Sequence, residues 1–174
     1  MRSYEDSLKI EKAIKYLVNQ IEKSGNNPKP VILHSIRIAL NLESQGYSTE
    51  IVLAALLHDL LEDSKTTLKN IESLFGKEVA ILVKANSDNK GIVNKRQRYL
   101  DTFDRCLSLG KDALLIKTAD ILDNSDYYSF IEDRAIFLGL IEKLRYFIDL
   151  SKKLLKNETI YKNLSEKYKE LKTK

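Results

Sequence analysis

The chain has 174 residues, the length of one typical domain. Hydrophobic residues make up 43% and charged residues 31%, with 6 Gly and 2 Pro, so the composition excludes collagen, low-complexity disorder and a turn-rich β-sandwich and favours long helices. The single cysteine, Cys106, excludes a disulfide scaffold and any site built on two thiolates, and it favours a reducing compartment.

Helical periodicity extends over almost the whole chain. We predict a first helix over 4–23, ended by residues 24–28, and a second helix from Pro30 to about Ser44. A third helix, capped by Ser48 or Thr49, is predicted over 51–63, and a short fourth helix, capped by Thr66 or Thr67, ends at Gly76. Further helices are predicted up to about Ala85 and over 95–109, 112–124 and 131–156, with residues 86–94 as a loop. The sequence therefore predicts a single all-α domain over residues 1–174.

The net charge of +4 is concentrated at the C-terminal end, where residues 150–174 carry 8 Lys against 3 acidic residues. Apolar residues recur at near-helical spacing through the same segment: Leu154, Leu155, Ile160, Leu164, Tyr168 and Leu171. This pattern predicts a basic amphipathic helix over about 150–172, docked on the rest of the chain with a solvated lysine face. We therefore expect no nucleic-acid partner.

No segment of the sequence has the features of a targeting signal or a membrane span. The first ten residues carry charges of both signs, and the longest apolar run, Ile51–Leu57, is far shorter than the roughly 20 residues of a membrane-spanning helix. We expect a cytoplasmic protein with no membrane partner. The sequence leaves the oligomeric state open, a homodimer included.

The end of the third predicted helix is unusually rich in ionisable groups. His58, Asp59, Glu62 and Asp63 directly follow seven apolar residues. Like charges four residues apart cost about 0.2–0.5 kcal/mol per pair, and the helix dipole disfavours anions at this end by about 0.3–1 kcal/mol each. A bound cation would reverse the sign of each of these energies.

Two further polar residues lie on faces that should point into the core. His34 shares a helical stripe with Val31, Ile38 and Leu42, and Asp120 lies in the nearly continuous apolar segment 113–122. A buried carboxylate without a partner costs many kcal/mol, so Asp120 needs a cation nearby.

Each of these residues has a simpler interpretation when taken alone. A histidine on an apolar face is usually a hydrogen-bonded core residue, Asp120 could pair with Arg37 or Lys117, and Glu62 and Asp63 could be a solvated helix end. Taken together, two imidazoles and two carboxylates from three helices match the nitrogen and oxygen ligands that bind a divalent cation inside a helical bundle.

The same residues resemble a known family. His34, the doublet His58-Asp59 and the distant Asp120 are similar to the H…HD…D pattern of the HD-domain metal-dependent phosphohydrolases. The segments 54–63 (AALLHDLLED) and 117–124 (KTADILDN) more specifically resemble the hydrolase domain of RelA/SpoT-type (p)ppGpp hydrolases and their small stand-alone relatives. Phe75-Gly76 and the loop 88–90 are also similar to that group, and the resemblance covers about residues 25–130.

The resemblance implies an HD-type helical bundle and a set of residue roles. His34, His58, Asp59 and Asp120 would bind one divalent metal ion, Mn²⁺ for preference, because two imidazoles with two carboxylates and water suit a six-coordinate cation. Glu62 and Asp63 would be the catalytic residues that orient and deprotonate water. Substrate contacts would come from Asn124 and from the basic residues around the loop, Lys90, Lys95, Arg96 and Arg98. Arg37 would contact a ligand carboxylate.

The implied substrate is a small phosphorylated nucleotide, with guanosine-3′,5′-bis(diphosphate) 3′-pyrophosphohydrolysis as the nearest example. The chain departs from those enzymes around the first histidine, at residues 29–33 and 35–37, and in the upstream segment 19–25, which is basic in the family. These departures keep two alternatives open: a phosphohydrolase of different specificity, acting on a nucleoside monophosphate or another phosphometabolite, or a catalytically idle regulatory module that binds metal or nucleotide. Tyr127, Tyr128 and Phe130 are predicted to pack in the core rather than to line a pocket.

Overall fold

The computed structural model describes residues 2–25 and 30–173. Within these ranges the chain forms α-helices and one 3₁₀ turn, at Tyr128–Phe130, and contains no β-strand. The helices are α1 (Tyr4–Ser24), α2 (Val31–Ser44), α3 (Thr49–Leu57), α4 (Leu60–Asp63), α5 (Leu68–Phe75), α6 (Lys77–Asn86), α7 (Lys95–Leu109), α8 (Lys111–Ser125), α9 (Arg134–Leu155) and α10 (Thr159–Lys172). The all-α prediction is confirmed.

Several helix starts are explained by local capping. The side chains of Ser48, Thr67, Asn94 and Asp133 each accept a hydrogen bond from a backbone N–H in the first turn of the helix that follows. Thr67 also forms a reciprocal capping box with Asn70, which confirms the cap predicted for that short helix. The predicted stop over residues 26–28 lies outside the described residues.

Two helices form the centre of the bundle. All residues from Ile51 to Leu57 of α3 are buried, and so are those from Ala113 to Ala119 of α8. Helices α1, α2, α6 and α8 surround α3, and α2, α3, α6, α7, α9 and α10 pack around α8. Because both central helices are buried on every side along these stretches, the polar residues near their C-terminal ends lie where the core meets solvent.

The helix predicted over 51–63 is interrupted, and this corrects the sequence analysis. The chain leaves helical hydrogen bonding at His58-Asp59, between α3 and α4. The carbonyl of His58 accepts a hydrogen bond from Ser87 Oγ at 3.0 Å, while the N–H of Glu62 donates to the carbonyl of Asp59 at 3.0 Å. A side chain from the loop after α6 thus occupies the acceptor that a continuous helix would use, and the backbone tightens into a turn.

The C-terminal helix docks as predicted, but it begins at Thr159 rather than at about residue 150, because residues 150–155 belong to α9. Ile160, Leu164 and Leu171 of α10 are buried against α8 and α9, and Glu158 just before it pairs with Lys111 at 2.7 Å. The prediction that Leu154 belongs to the apolar stripe is wrong, because this side chain is 41% exposed. In the described parts of the chain, no helix combines the length and apolar character needed to cross a bilayer.

Candidate metal centre

Three separate elements deliver four side chains to one point. His34 lies in the first turn of α2, His58 and Asp59 lie in the interruption between α3 and α4, and Asp120 lies two turns into α8. His58 and Asp59 are adjacent in the chain and keep right-handed helical dihedral angles, with φ −60° and ψ −34° for His58 and φ −87° and ψ −9° for Asp59.

The side chains approach within a few ångströms of one another. His34 Nε2 is 3.4 Å from Asp120 Oδ1 and 3.8 Å from Asp59 Oδ2. His58 Nε2 is 3.1 Å from Asp59 Oδ1 and 3.9 Å from Asp120 Oδ1. One ligand atom each from His34, His58 and Asp120 lie within 4.8 Å of one another, which is the spacing of atoms that share a metal ion.

His58 is oriented to present a lone pair to this point. Its Nδ1–H donates to the carbonyl of Ala55 at 2.8 Å, since a carbonyl can only accept. The other ring nitrogen, Nε2, is buried and makes no hydrogen bond, although Asp59 Oδ1 is 3.1 Å away. In a neutral ring that nitrogen and the carboxylate both offer lone pairs, so a cation between them would turn repulsion into binding.

His34 is oriented through its other ring nitrogen by a carboxylate that the sequence analysis did not single out. Nδ1 donates to Asp123 Oδ2 at 2.7 Å. Burial alone would lower the pKa of His34, but hydrogen bonds to Asp120 and Asp123 raise it to about 9. In the metal-free protein, a proton on His34 therefore supplies positive charge at the point where the carboxylates converge.

Arg37 contacts a carboxylate, as the sequence analysis favoured, but the partner is Asp123 rather than one of the predicted ligands. Its Nε donates to Asp123 Oδ1 at 2.6 Å and its Nη2 donates to Asp123 Oδ2 at 2.7 Å. Partial burial alone would raise the pKa of Asp123, but these bonds outweigh it and lower that pKa to about 2.

Asp120 is held by two neighbours on its own helix. Lys117 Nζ donates to Asp120 Oδ2 at 2.9 Å and to the carbonyl of Asn86 at 2.9 Å, and Asn124 Nδ2 donates to Asp120 Oδ1 at 2.6 Å. Burial alone would raise the pKa of Asp120, but Lys117 and His34 hold it well below its usual range. The pairing with Lys117 considered in the sequence analysis is therefore present, together with the convergence on the two histidines.

A cavity of about 560 Å³ opens beside these residues. Glu62 lines it, and Glu62 Oε1 accepts a hydrogen bond from the N–H of Asp88 at 2.7 Å. Burial raises the pKa of Glu62 above that of an exposed carboxyl group. Asp63 is not among the lining residues, so the structure brings only one of the two predicted catalytic carboxylates to the cavity wall.

Of the predicted substrate contacts, too, only a part lies at the cavity wall. Asn124 lines the cavity, whereas Lys90, Lys95, Arg96 and Arg98 do not. Two of these basic side chains bond to backbone carbonyls instead: Lys90 Nζ donates to the carbonyl of Glu62 in α4 at 2.7 Å, and Arg98 Nε donates to that of Ile92 in the loop at 2.8 Å. The cavity takes its positive charge from Arg37, Lys117 and Lys143.

Aromatic side chains form much of the remaining wall. Tyr99 and Phe103 of α7 line the cavity together with Tyr127 and Tyr128, and the ammonium of Lys143 lies 5.2 Å from the centre of the Tyr99 ring. The prediction that Tyr127, Tyr128 and Phe130 pack in the core rather than line a pocket is met in part by Tyr128, which is buried but also lines the cavity. It is wrong for Tyr127 and Phe130, which are 51% and 78% exposed. Tyr99, Phe103 and Lys143 lie far from the recognised motifs in the sequence, and no local pattern marked them.

Comparison with known proteins identifies the fold and the family. A family model described as "HD domain" matches residues 13–171, nearly the whole chain. The chain belongs to the HD domain family. The solved structure of a metazoan ortholog of SpoT that hydrolyses ppGpp superposes with a TM-score of 0.81 over 98% of this chain and 97% of that chain, at 22% identity. The structure of lmo0812 from Listeria monocytogenes EGD-e gives a TM-score of 0.70 over 79% of this chain and 94% of its own.

The curated relatives align with a little more than half of this chain. A guanosine-3′,5′-bis(diphosphate) 3′-pyrophosphohydrolase from Aquifex aeolicus (strain VF5) is 35% identical over 59% of this chain, which corresponds to 15% of that protein. The MESH1 enzyme of the same name from Danio rerio is 38% identical over 55% of this chain and 53% of its own length. The chain thus spans about half the length of MESH1. The family match agrees with a single domain, and the boundaries 1–174 stay a prediction.

Proposed function

We propose that this chain is a metal-dependent phosphohydrolase that removes a phosphate or pyrophosphate group from a small nucleotide. Hydrolysis of guanosine-3′,5′-bis(diphosphate) at its 3′-pyrophosphate is the first activity to test, because that is the activity named for the relatives. The observation that carries the proposal is the convergence of two imidazoles and two carboxylates, with His58 Nε2 buried and without a hydrogen bond, beside a cavity large enough for a nucleotide.

His34, His58, Asp59 and Asp120 would hold one divalent ion, and Mn²⁺ is our preferred candidate. Two nitrogens and two hard oxygens suit a six-coordinate ion of this kind better than a closed tetrahedral zinc site. Bound there, the ion would supply Lewis acidity, making a water a stronger nucleophile at neutral pH and withdrawing charge from a phosphoryl oxygen.

Glu62 is the residue best placed to handle the proton of the attacking water. It lines the cavity one turn beyond the His58-Asp59 turn, and the hydrogen bond from Asp88 N–H fixes one carboxylate oxygen, Oε1. The other oxygen, Oε2, would orient the water and accept its proton. Asp63, the last residue of α4, does not line the cavity, so we propose no direct contact between this residue and the substrate.

The cavity favours a nucleotide over a simple phosphate ester. Its wall combines the aromatic rings of Tyr99 and Tyr127, which suit a base or sugar face, with the amide of Asn124 and the cations Arg37 and Lys143. Because the four basic residues predicted around the loop do not line the cavity, the phosphate contacts of this chain would differ from those expected from the sequence. This difference favours, as the second candidate, a phosphohydrolase with another nucleotide or phosphometabolite specificity.

The deciding experiment is a panel of nucleotides and sugar phosphates incubated with the protein and Mn²⁺, or with a chelator, and scored for released phosphate and pyrophosphate. We expect turnover of at least one nucleotide, abolished by the chelator, with guanosine-3′,5′-bis(diphosphate) as the first substrate to try. Turnover of other compounds alone would select the second candidate. A protein that binds Mn²⁺ stoichiometrically yet turns over none of them would be the idle regulatory module.

We further propose that the protein works in the cytoplasm, which the buried free thiol of Cys106 supports. A homodimer remains a proposal that sedimentation analysis can test.

A further inference from the structure

Helices α2 and α8 are joined by two parallel side-chain contacts. The first joins the predicted ligands His34 and Asp120, and the second, three residues further along each helix, joins Arg37 and Asp123. Residues three apart lie on the same face of a helix, so both contacts fall on the same side of the α2–α8 interface. The two contacts are connected, because Asp123 Oδ2 accepts hydrogen bonds from both Arg37 Nη2 at 2.7 Å and His34 Nδ1 at 2.7 Å.

We propose that Asp123, held in place by Arg37, is a positioning residue that fixes the ring of His34 for metal binding. The inference rests on the proposed function, since it assumes a metal ion at the four predicted ligands. Neither Asp123 nor Arg37 belongs to the predicted ligand set, and Asp123 would act only through His34.

The geometry at His34 supports this role. A carboxylate bonded to Nδ1–H holds the tautomer in which Nε2 carries the lone pair, and it makes that nitrogen a stronger ligand. Nε2 is the atom that lies 3.4 Å from Asp120 Oδ1 and 3.8 Å from Asp59 Oδ2. Arg37 in turn binds both oxygens of Asp123, so the carboxylate cannot rotate away from the ring.

His34 needs such a partner more than His58 does. The ring of His58 is fixed by a carbonyl of its own helix, at Ala55, and is 1% exposed. The ring of His34 is 12% exposed and has only side chains as partners, so without Asp123 it could rotate about its side-chain bonds. The chain contains two histidines, and these two environments should give two distinguishable ring-proton signals.

The competing explanation is that Arg37 and Asp123 simply tie α2 to α8. The two explanations differ in what each substitution should do. If the pair is only a tie, removal of either partner should have the same effect. If Asp123 positions His34, then Asp123→Ala should weaken metal binding more than Arg37→Leu, because the Arg37→Leu protein keeps the carboxylate beside Nδ1.

The test measures Mn²⁺ affinity, by electron paramagnetic resonance of the free ion, for wild type, Asp123→Ala, Asp123→Asn, Arg37→Leu and the control Asp126→Ala. Asp126 is an exposed carboxylate three residues further along, paired with Lys167 at 2.7 Å. We expect a loss of about 10–100-fold for both Asp123 variants, a smaller loss for Arg37→Leu and no change for Asp126→Ala. Asp123→Asn keeps the side-chain volume, so it serves as the test if Asp123→Ala does not fold.

A second readout separates positioning from stability. In the Zn²⁺-loaded protein, the exchangeable Nδ1 proton of each histidine is observed by NMR. Substitution of Asp123 should shift or remove the His34 signal and leave the His58 signal in place. An unchanged His34 signal with wild-type Mn²⁺ affinity overturns the inference, as does an equal affinity loss in Arg37→Leu and Asp123→Ala. If wild type itself binds neither Mn²⁺ nor Zn²⁺, the proposed function fails, and the inference fails with it.

Discussion

The two histidines of this protein occupy opposite kinds of environment. His58 lies in the core, fixed by a carbonyl three residues earlier, and the surrounding residues of α3 are apolar. His34 lies at the edge of the cavity, fixed by a carboxylate 89 residues away in the sequence. One ring is therefore oriented by the local backbone and the other by the packing of two helices, so the His34 side of the site should respond more to substitutions at a distance.

Loss of the core histidine should have the largest effect. His58→Gln removes the imidazole and leaves Asp59 and Asp120 without one of their two nitrogen partners, so we expect loss of stoichiometric Mn²⁺ and no turnover above background. Metal content by atomic emission and phosphate release check this result. Full metal content in His58→Gln would show that His58 is not a ligand. His34 would then be the more important histidine for metal binding.

The second largest effect should be on turnover alone, with metal binding unchanged. Glu62→Gln keeps an oxygen to accept the Asp88 N–H but cannot take up a proton. We expect turnover to fall by about 10²–10⁴-fold, the usual contribution of a general base, while Mn²⁺ content stays at the wild-type level. Loss of the metal in this variant would instead make Glu62 a ligand. Glu72→Gln, in α5 and outside the cavity lining, is the matched control.

The third prediction tests how the Asp120 charge is balanced. Lys117→Met removes the lysine partner of the buried Asp120 carboxylate and leaves His34 as its remaining cation, so we expect the metal-free protein to lose up to about 3–5 kcal/mol in free energy of unfolding. Added Mn²⁺ should restore part of this stability. An ion present at about 100 times its dissociation constant stabilises the folded protein by about 2.7 kcal/mol. Urea unfolding with and without Mn²⁺ measures both.

The control for that experiment is Lys167→Met, which breaks the more exposed pair with Asp126 and should change stability by at most about 1 kcal/mol. Equal losses in the two lysine variants would mean that Asp120 is not charged and buried as described.

The smallest effect is expected at the interruption after α3. Ser87→Ala removes the hydroxyl that bonds to the His58 carbonyl, at a cost of about 0.5–1.5 kcal/mol in free energy of unfolding. Because His58 is held independently by Ala55, Mn²⁺ affinity should change little. A loss of metal affinity as large as that expected for Asp123→Ala would show that the core side is no more rigid than the cavity side.

Much of the fold could be predicted from the sequence because helices are local. Caps such as Thr67, stops such as Gly76 and the apolar stripes of α1 and α10 depend on residues within a few positions of each other. The exception is the interruption at His58-Asp59, since it depends on Ser87, which lies 29 residues away.

The candidate site likewise contains residues that could be predicted from the sequence and residues that depend on helix packing. The residues predicted as ligands were recognised because buried charge is costly and because their motifs resemble a family. The contact of Arg37 with Asp123 spans 86 residues, and Lys143 reaches the cavity from α9, so both depend on helix packing that no local pattern reveals. Charge in a sequence does not show whether a basic side chain faces a cavity or bonds to nearby carbonyls, as Lys90 and Arg98 do.

The loop after α6 forms hydrogen bonds with several segments that are distant in the sequence. Ser87 Oγ binds the His58 carbonyl, Asp88 N–H binds Glu62, and Thr102 Oγ1 donates to Asp88 Oδ1 at 3.1 Å. Ser87 and Asp88 thereby connect the turn at His58-Asp59, the carboxylate of Glu62 and α7. A shift of Asp88 would move Glu62, the proposed proton acceptor, while His58 kept its own bond to Ala55, so we expect reaction rate and metal affinity to respond separately to changes at this corner.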